Sequence, residues 1–316
     1  MAADLLLLGL AFALGACLAH TSLCLVAALQ AALVERRLQG LCTQLVALCT
    51  AGAVLTLLAA ALPALVHLPA ERGVSFAVIG GAAILGVGAL VNGGCYLGSI
   101  LYLGRGRSDF LFTLVGIAAA SRFAPTSCWR SMQSADTVRS LMGDAPYLAA
   151  AVFAAAAAIV VVLALARTLD GRRALVRALA VAALTGAIAA LLYARHPHWS
   201  YGSVLEALAH ADVRAIDWVA NAAAVALFAG ALAGSWLAGD WQPRRPSLLQ
   251  SLRCLAGGAL MGTGAALIPG GNDLLVLWAV PGLTAYGIVA FATLLVSIGL
   301  PIVVAARLAA RRASGP

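Results

Sequence analysis

The stretch LVNGGCYLGSI, Leu90 to Ile100, decides how this chain is read. Apolar residues flank it on both sides, and no charge appears until Arg105. Within it stand two adjacent glycines and a thiol, Gly93, Gly94 and Cys95. Glycine admits backbone conformations that other residues resist. The pattern predicts an apolar helix interrupted inside a membrane, with a cysteine at the break.

Composition places the break in a polytopic membrane protein. Of 316 residues, 63% are hydrophobic and 10% charged, with mean hydropathy +0.99. A soluble domain could not bury so much apolar surface. The net charge of +8 comes from twenty basic residues, all arginine. Such charges cluster in short loops and set orientation, so they do not point to nucleic acid. Seven cysteines lie mostly in apolar runs without CxxC spacing, which predicts neither a disulfide framework nor a metal site. No cofactor is expected. The apolar N-terminus lacks a basic region and is expected to remain as a first helix.

Apolar runs of spanning length fall near 4–19, 40–66, 75–91, 109–120, 147–168, 175–194, 215–238, 248–267 and 281–306. Nine transmembrane helices are therefore expected in an all-α fold. Shorter pieces at 21–34, 94–103, 200–211 and 271–280 cannot span alone and are expected as re-entrant or interfacial helices. With the N-terminus outside and the C-terminus cytoplasmic, 14 arginines fall on the cytoplasmic side and 6 outside. That asymmetry favours this orientation.

The chain also repeats itself. GGAAILGVGALVNGG (80–94) aligns without a gap with GGALMGTGAALIPGG (257–271), at seven of fifteen positions identical. SLCLVAAL (22–29) aligns more loosely with YGSVLEAL (201–208). Four spans in each half, with a fifth joining them, reverse direction between halves, as in inverted-repeat transporters. The expected organisation is a first repeat over 1–146, including an outer loop 121–146 with Cys128, a linking span 147–170, and an inverted second repeat 171–316.

In such transporters the substrate site forms near the midplane, where helices are discontinuous. One break is Asn92, Gly93, Gly94 and Cys95; its counterpart is Gly270, Gly271, Asn272 and Asp273, after Pro269. Amides left open by the glycines, with the N-termini of the short helices, favour an anion. Bare backbone at that depth is tolerated only where it lines a polar cavity. Cys24 sits at a second interruption, and the repeat sets Ser203 opposite Cys24 and Asn272 opposite Cys95. A neutral thiol is a weak, soft donor, suited to a sulfur-bearing anion. Cys17, Cys42, Cys49 and Cys254 are expected as small apolar core residues. Asp273 is expected to cap its short helix, with proton coupling or substrate contact as alternatives.

HTSLCLVAAL, NGGCYLGSILYLGRG and LIPGGNDLLVLW together resemble the YeeE/YedE family of bacterial sulfur-transport membrane proteins. The resemblance implies an hourglass of nine spans in the bacterial inner membrane, with short re-entrant helices. It implies thiosulfate uptake along a cysteine path that includes Cys24 and Cys95, and a cytoplasmic sulfur-carrier protein as a possible partner beside membrane lipid. Asn272 and Ser203 depart from a full cysteine relay, since neither exchanges sulfur. Sulfite, sulfide or a selenium species are alternative cargoes. A membrane-embedded sulfurtransferase forming a persulfide on Cys95 is an alternative activity, and a non-transporting assembly subunit is a third.

Overall fold

The structure, a computed structural model, describes residues 2–21, 23–70, 72–123, 145–167, 171–197, 199–210, 217–268 and 270–313. Most of the expected outer loop with Cys128, and also Ser22, His198 and Pro269, lie outside the described residues. Helices dominate what is described. They are α1 (Ala2–His20), α2 (Leu25–Leu33), α3 (Gln39–Ala61), α4 (Phe76–Asn92), α5 (Tyr96–Gly104), α6 (Leu111–Phe123) and α7 (Pro146–Ala166). There follow α8 (Arg172–Arg195), α9 (Tyr201–Ala209), α10 (Trp218–Leu237), α11 (Leu248–Leu267), α12 (Asn272–Leu274, running on as a π-helical turn Leu275–Ala279) and α13 (Ala285–Ala313).

Local chemistry sets several of these ends. The Asp217 carboxylate accepts from the amides of Val219 and Ala220 at 2.9 and 3.1 Å and starts α10. Ser247 starts α11 in the same way, through the amide of Gln250. Ser200 and Ser203 cap α9 reciprocally. Gly93, at φ 76°, ends α4 in the left-handed conformation that glycine adopts without strain.

Among the described residues, seven helical runs are long and apolar enough to cross a membrane. They are Asp4–Leu33, Gln39–Ala61, Phe76–Gly104, Pro146–Ala166, Arg172–Arg195, Trp218–Leu237 and Ala285–Arg312. An eighth is gained if α11 and α12, bent by 56° at their break, count as one. This differs from nine because α6 has only 13 residues, and because α11 counts as a span only together with the bent α12. The four short apolar pieces do form helices, namely α2, α5, α9 and α12.

Packing is pairwise and close. Helix α1 lies against α10, and α3 against α8; α6 lies against α11, and α4 against α13. At the centre α4 crosses α11, and α7 leans mainly on α3. The α4–α11 crossing is lined by Gly81 and Gly88 on one helix and Gly257 and Gly264 on the other. A Cβ added at Gly264 would stand 2.6 Å from the Gly81 carbonyl oxygen and the Leu85 amide. Membrane helices gain nothing from the hydrophobic effect against lipid, so close backbone approach supplies the contact. Large apolar side chains such as Val152, Ile159 and Val162 of α7 point outward, a surface suited to lipid.

Gly264→Leu should therefore destabilise the detergent-solubilised protein by about 1–3 kcal/mol, since backbone cannot give way as a side chain can. Gly80→Leu, where nothing stands within 4 Å of an added Cβ, should leave the melting temperature unchanged, both variants being read by heating the solubilised protein and following its size-exclusion peak.

Candidate functional site

Two interrupted runs bring their breaks together. Helix α1 stops at His20, and the chain crosses Thr21 and Leu23 to Cys24, the N-cap of α2. A break in an apolar interior leaves backbone groups that need partners. Gln44 of α3 supplies one, its amide donating to the Leu23 carbonyl at 3.0 Å. Thr21 satisfies another by donating to the Cys17 carbonyl at 3.1 Å. Helix α4 stops at Asn92, and Gly93 and Gly94 carry the chain to Cys95, the N-cap of α5.

The two N-cap cysteines meet. Cys24 and Cys95 are free thiols, 1% and 0% exposed, within interacting range of each other. The Leu25 amide, first in α2, donates to the Cys95 sulfur at 3.4 Å. Each thiol thus lies over the first turn of a nine-residue helix. Gly98, in the first turn of α5, faces both: a Cβ there would stand 2.6 Å from the Cys24 sulfur and 3.8 Å from that of Cys95. Any side chain at 98 would fill the space between the thiols.

Beneath the glycine pair, on the α5 side, the structure is closed. A Cβ at Gly94 would stand 2.9 Å from the Tyr102 ring and 3.2 Å from that of Phe110. The Arg107 guanidinium sits over both rings, 5.0 and 4.9 Å from their centroids. The segment after α5 is pinned to the α10–α11 connection. Arg244 donates its amide to Gly106 at 3.1 Å, Gln242 to Arg105 at 3.0 Å, and Arg105 pairs with Asp240 at 3.4 Å. The Asp109 carboxylate accepts from the Ser247 amide at 2.9 Å.

Asn92 organises the end of α4. Its side-chain amide donates to the Gly94 carbonyl at 2.6 Å and to Ser99, and its oxygen accepts from Thr113 of α6 at 2.6 Å. Its backbone carbonyl accepts from Gln250 at 3.4 Å and faces the Cys254 thiol at 3.9 Å. Cys254 therefore differs from its expected apolar role: it is buried, but Gln250 also donates to its sulfur at 3.4 Å.

The second glycine pair meets the first break directly. Gly270 has φ 105°, and Gly271 is the N-cap of α12. The Asn272 side-chain oxygen accepts from the Tyr96 amide at 2.9 Å, joining the start of α12 to the start of α5. The Asn272 side-chain nitrogen and one Asp273 carboxylate oxygen are buried without a hydrogen-bond partner. The Asp273 carboxyl lies against its own amide and that of Leu274 at the start of α12, with one oxygen left unsatisfied. Tyr201 packs on Tyr96, ring centroids 5.4 Å apart, and its hydroxyl donates to the Tyr96 carbonyl at 3.0 Å.

Gly270, Gly271, Ser200, Gly202, Ser203 and Tyr96 line a cavity of about 410 Å³ whose wall also carries Arg72 and Glu206. A neighbouring cavity of about 510 Å³ shares Ser203 with it. At the rim of that neighbour, burial and then the Arg195 charge lower the His196 imidazole below its ordinary pKa. Ser203 itself is held by Ser200, whose amide donates to it at 2.9 Å. Ser200 and Gly271 are the N-caps of α9 and α12, as Cys24 and Cys95 are of α2 and α5.

Gly98 and Tyr96 were not singled out in the sequence, and Cys254 was read only as a small apolar core residue. Gly98 had a signal, a small residue three positions after a cysteine at a helix start. Cys254 had one too, since Gln250 lies one helical turn before it.

Comparison with curated proteins gives no match. A family model described as sulphur transport matches residues 20–300, which takes in both glycine pairs, Cys24 and Cys95. An all-helical chain with at least seven membrane-length runs, carrying that match over most of its length, belongs to the sulphur transport family.

Proposed function

We propose that this chain is an inner-membrane permease that takes up thiosulfate or a closely related sulfur-containing anion. The observation that carries the proposal is the buried thiol pair, Cys24 against Cys95, at the breaks of two interrupted runs. Thiols are weak, soft donors, matched to the terminal sulfur of thiosulfate better than to a hard oxyanion such as phosphate. Gly98 keeps the space between them free, and the Leu25 amide supplies a fixed donor.

The proposed path begins in the 410 Å³ cavity, the outer vestibule with the N-terminus outside. Its floor is Tyr96 and Gly271, and directly behind Gly271 the buried Asn272 side chain keeps a free N–H that would offer the anion a donor. Beyond the floor lies the thiol pair. Exit to the cytoplasm then requires the Tyr102, Phe110 and Arg107 stack to part. A cytoplasmic sulfur-carrier protein is the proposed recipient.

The proposed architecture is nine crossings in two inverted repeats, 1–146 and 171–316, joined by a span within 147–170. Several observations support it. Exchanging α1–α6 with α8–α13 in order turns each principal packing pair into another observed pair: α1–α10 into α8–α3, α11–α6 into α4–α13, α2–α13 into α9–α6. Helices α2 and α9 start at 25 and 201, and α5 and α12 at 96 and 272, both 176 residues apart. Gly81 with Gly257, and Gly88 with Gly264, keep that spacing. The central α4–α11 pair maps onto itself, as it must on a two-fold axis.

Reconstitution of this chain alone into liposomes, with a panel of sulfur oxyanions, tests the proposal. Thiosulfate uptake is expected; its absence would leave an assembly role. Cys95→Ala should cut uptake and thiosulfate-dependent growth of a sulfur-auxotrophic host at least tenfold, with protein level unchanged. A persulfide on Cys95 in mass spectra of the purified protein would instead favour sulfur transfer.

Gly98→Ala should lower uptake severalfold while the protein stays folded, because it displaces the Cys24 sulfur. In a Cys24→Ala background the same change should add little, and the double-mutant cycle measures this coupling. Independent, additive effects would remove Gly98 from the path.

A further inference from the structure

Asp273 is the buried ionisable group that the permease reading leaves without a task. It is 3% exposed, and one carboxylate oxygen has no hydrogen-bond partner. That oxygen lies 2.6 Å from where a Cβ on Gly271 would stand, and Gly271 lines the vestibule. The Tyr96 ring lies 2.8 Å from the same point. The carboxyl therefore sits immediately behind the vestibule floor, next in sequence to Asn272, whose own side-chain nitrogen is also unpaired. Two unsatisfied polar side chains of opposite capability, a donor and a carboxyl, stand together where the anion must pass.

The groups around it supply no counter-charge. Tyr96 of α5, Tyr193 of α8 and Tyr201 of α9 lie in its electrostatic field, and Glu206 of α9 acts on Tyr96. Helix α3, packed against the π-helical part of α12, carries Cys42 and Cys49 as its only ionisable side chains. Helix α13 brings Tyr286 in its first turn, on the vestibule wall with His67 and Arg72. No cation forms an ion pair with Asp273 among the described residues. A carboxylate in such a place is costly, and membrane proteins hold one there for function.

Resting on the permease reading, we propose that Asp273 carries one proton inward with each anion. Ionised, it repels a dianion arriving at Gly271 and Asn272. Protonated from the outer side, it is neutral, and its O–H becomes a donor beside the free N–H of Asn272. The anion and the proton then leave together on the cytoplasmic side. The carboxylate is regenerated and takes its next proton from outside, so one dianion and one proton cross per cycle.

The test uses the full chain in liposomes containing a trapped fluorescent pH indicator and radiolabelled thiosulfate outside. Wild-type uptake should acidify the lumen and rise severalfold when the outer pH is lowered by one unit. Asp273→Asn, a permanently neutral analogue, should retain at least a tenth of the uptake, lose the acidification and respond flatly to outer pH. Asp273→Glu should keep both. Wild-type uptake without lumenal acidification overturns the proton inference and leaves the permease reading standing. Acidification that persists in Asp273→Asn also overturns it. No thiosulfate uptake by wild type sinks the permease reading and this inference together. If Asp273→Asn fails to insert, Asp273→Glu decides: its uptake should keep the acidification with an outer-pH profile displaced from wild type, and an undisplaced profile overturns the assignment to Asp273.

Discussion

The Tyr96 amide and the Asn272 side-chain oxygen meet at 2.9 Å, and the centre of the protein is arranged around that contact. A chain that is 63% hydrophobic has little to offer a broken backbone. Any interruption at membrane depth must find its hydrogen bonds within the protein. Here each break is served by a different part of the chain: Leu23 by Gln44, the Gly94 carbonyl by Asn92, and the Tyr96 amide by Asn272. The last of these joins residues 176 positions apart, which ties the start of α12 to the start of α5. It is reachable because glycines at the α4–α11 crossing let the two helices approach at backbone distance.

Around that contact the two halves differ in state. The thiol half is dry, with Cys24 and Cys95 essentially without exposure, and aromatic rings and Arg107 stacked beneath the glycines. The other half opens on a 410 Å³ cavity through Gly270, Gly271 and Ser203. The contacts that hold the closed side are polar and few, the Arg105–Asp240 pair and the Gly106 and Asp109 hydrogen bonds. An exposed ion pair of this kind contributes about 0–1 kcal/mol, so this closure is weakly held compared with the helix crossings.

Much of the fold was legible from hydropathy and punctuation. Every apolar run gave a helix, and the short pieces at 21–34, 94–103, 200–211 and 271–280 gave α2, α5, α9 and α12. The Gly93 break was legible because glycine is suited to the left-handed turn at a helix end. Register was less so. The sequence alignments set Cys95 opposite Asn272 and Cys24 opposite Ser203, whereas the N-caps of α12 and α9 are Gly271 and Ser200. Alanine and leucine recur too often for identity to fix a shift of one or three residues. Asp273 was expected as a cap; Gly271 takes the N-cap position, and Asp273 stands two residues on with one carboxylate oxygen unpaired.

The sequence by itself determined that the chain is an all-helical membrane protein and that its helices break at two glycine pairs. It also marked Cys24 and Cys95 as the thiols at interruptions. These follow from local properties, apolar length and backbone permissiveness, which need no partner to act. Only the tertiary structure decided that the two thiols face each other across Gly98, that Cys254 belongs to the polar cluster at Asn92, and that one Asp273 oxygen is left without a partner. Each of those depends on which helix meets which and at what distance, and close packing between remote segments fixes that.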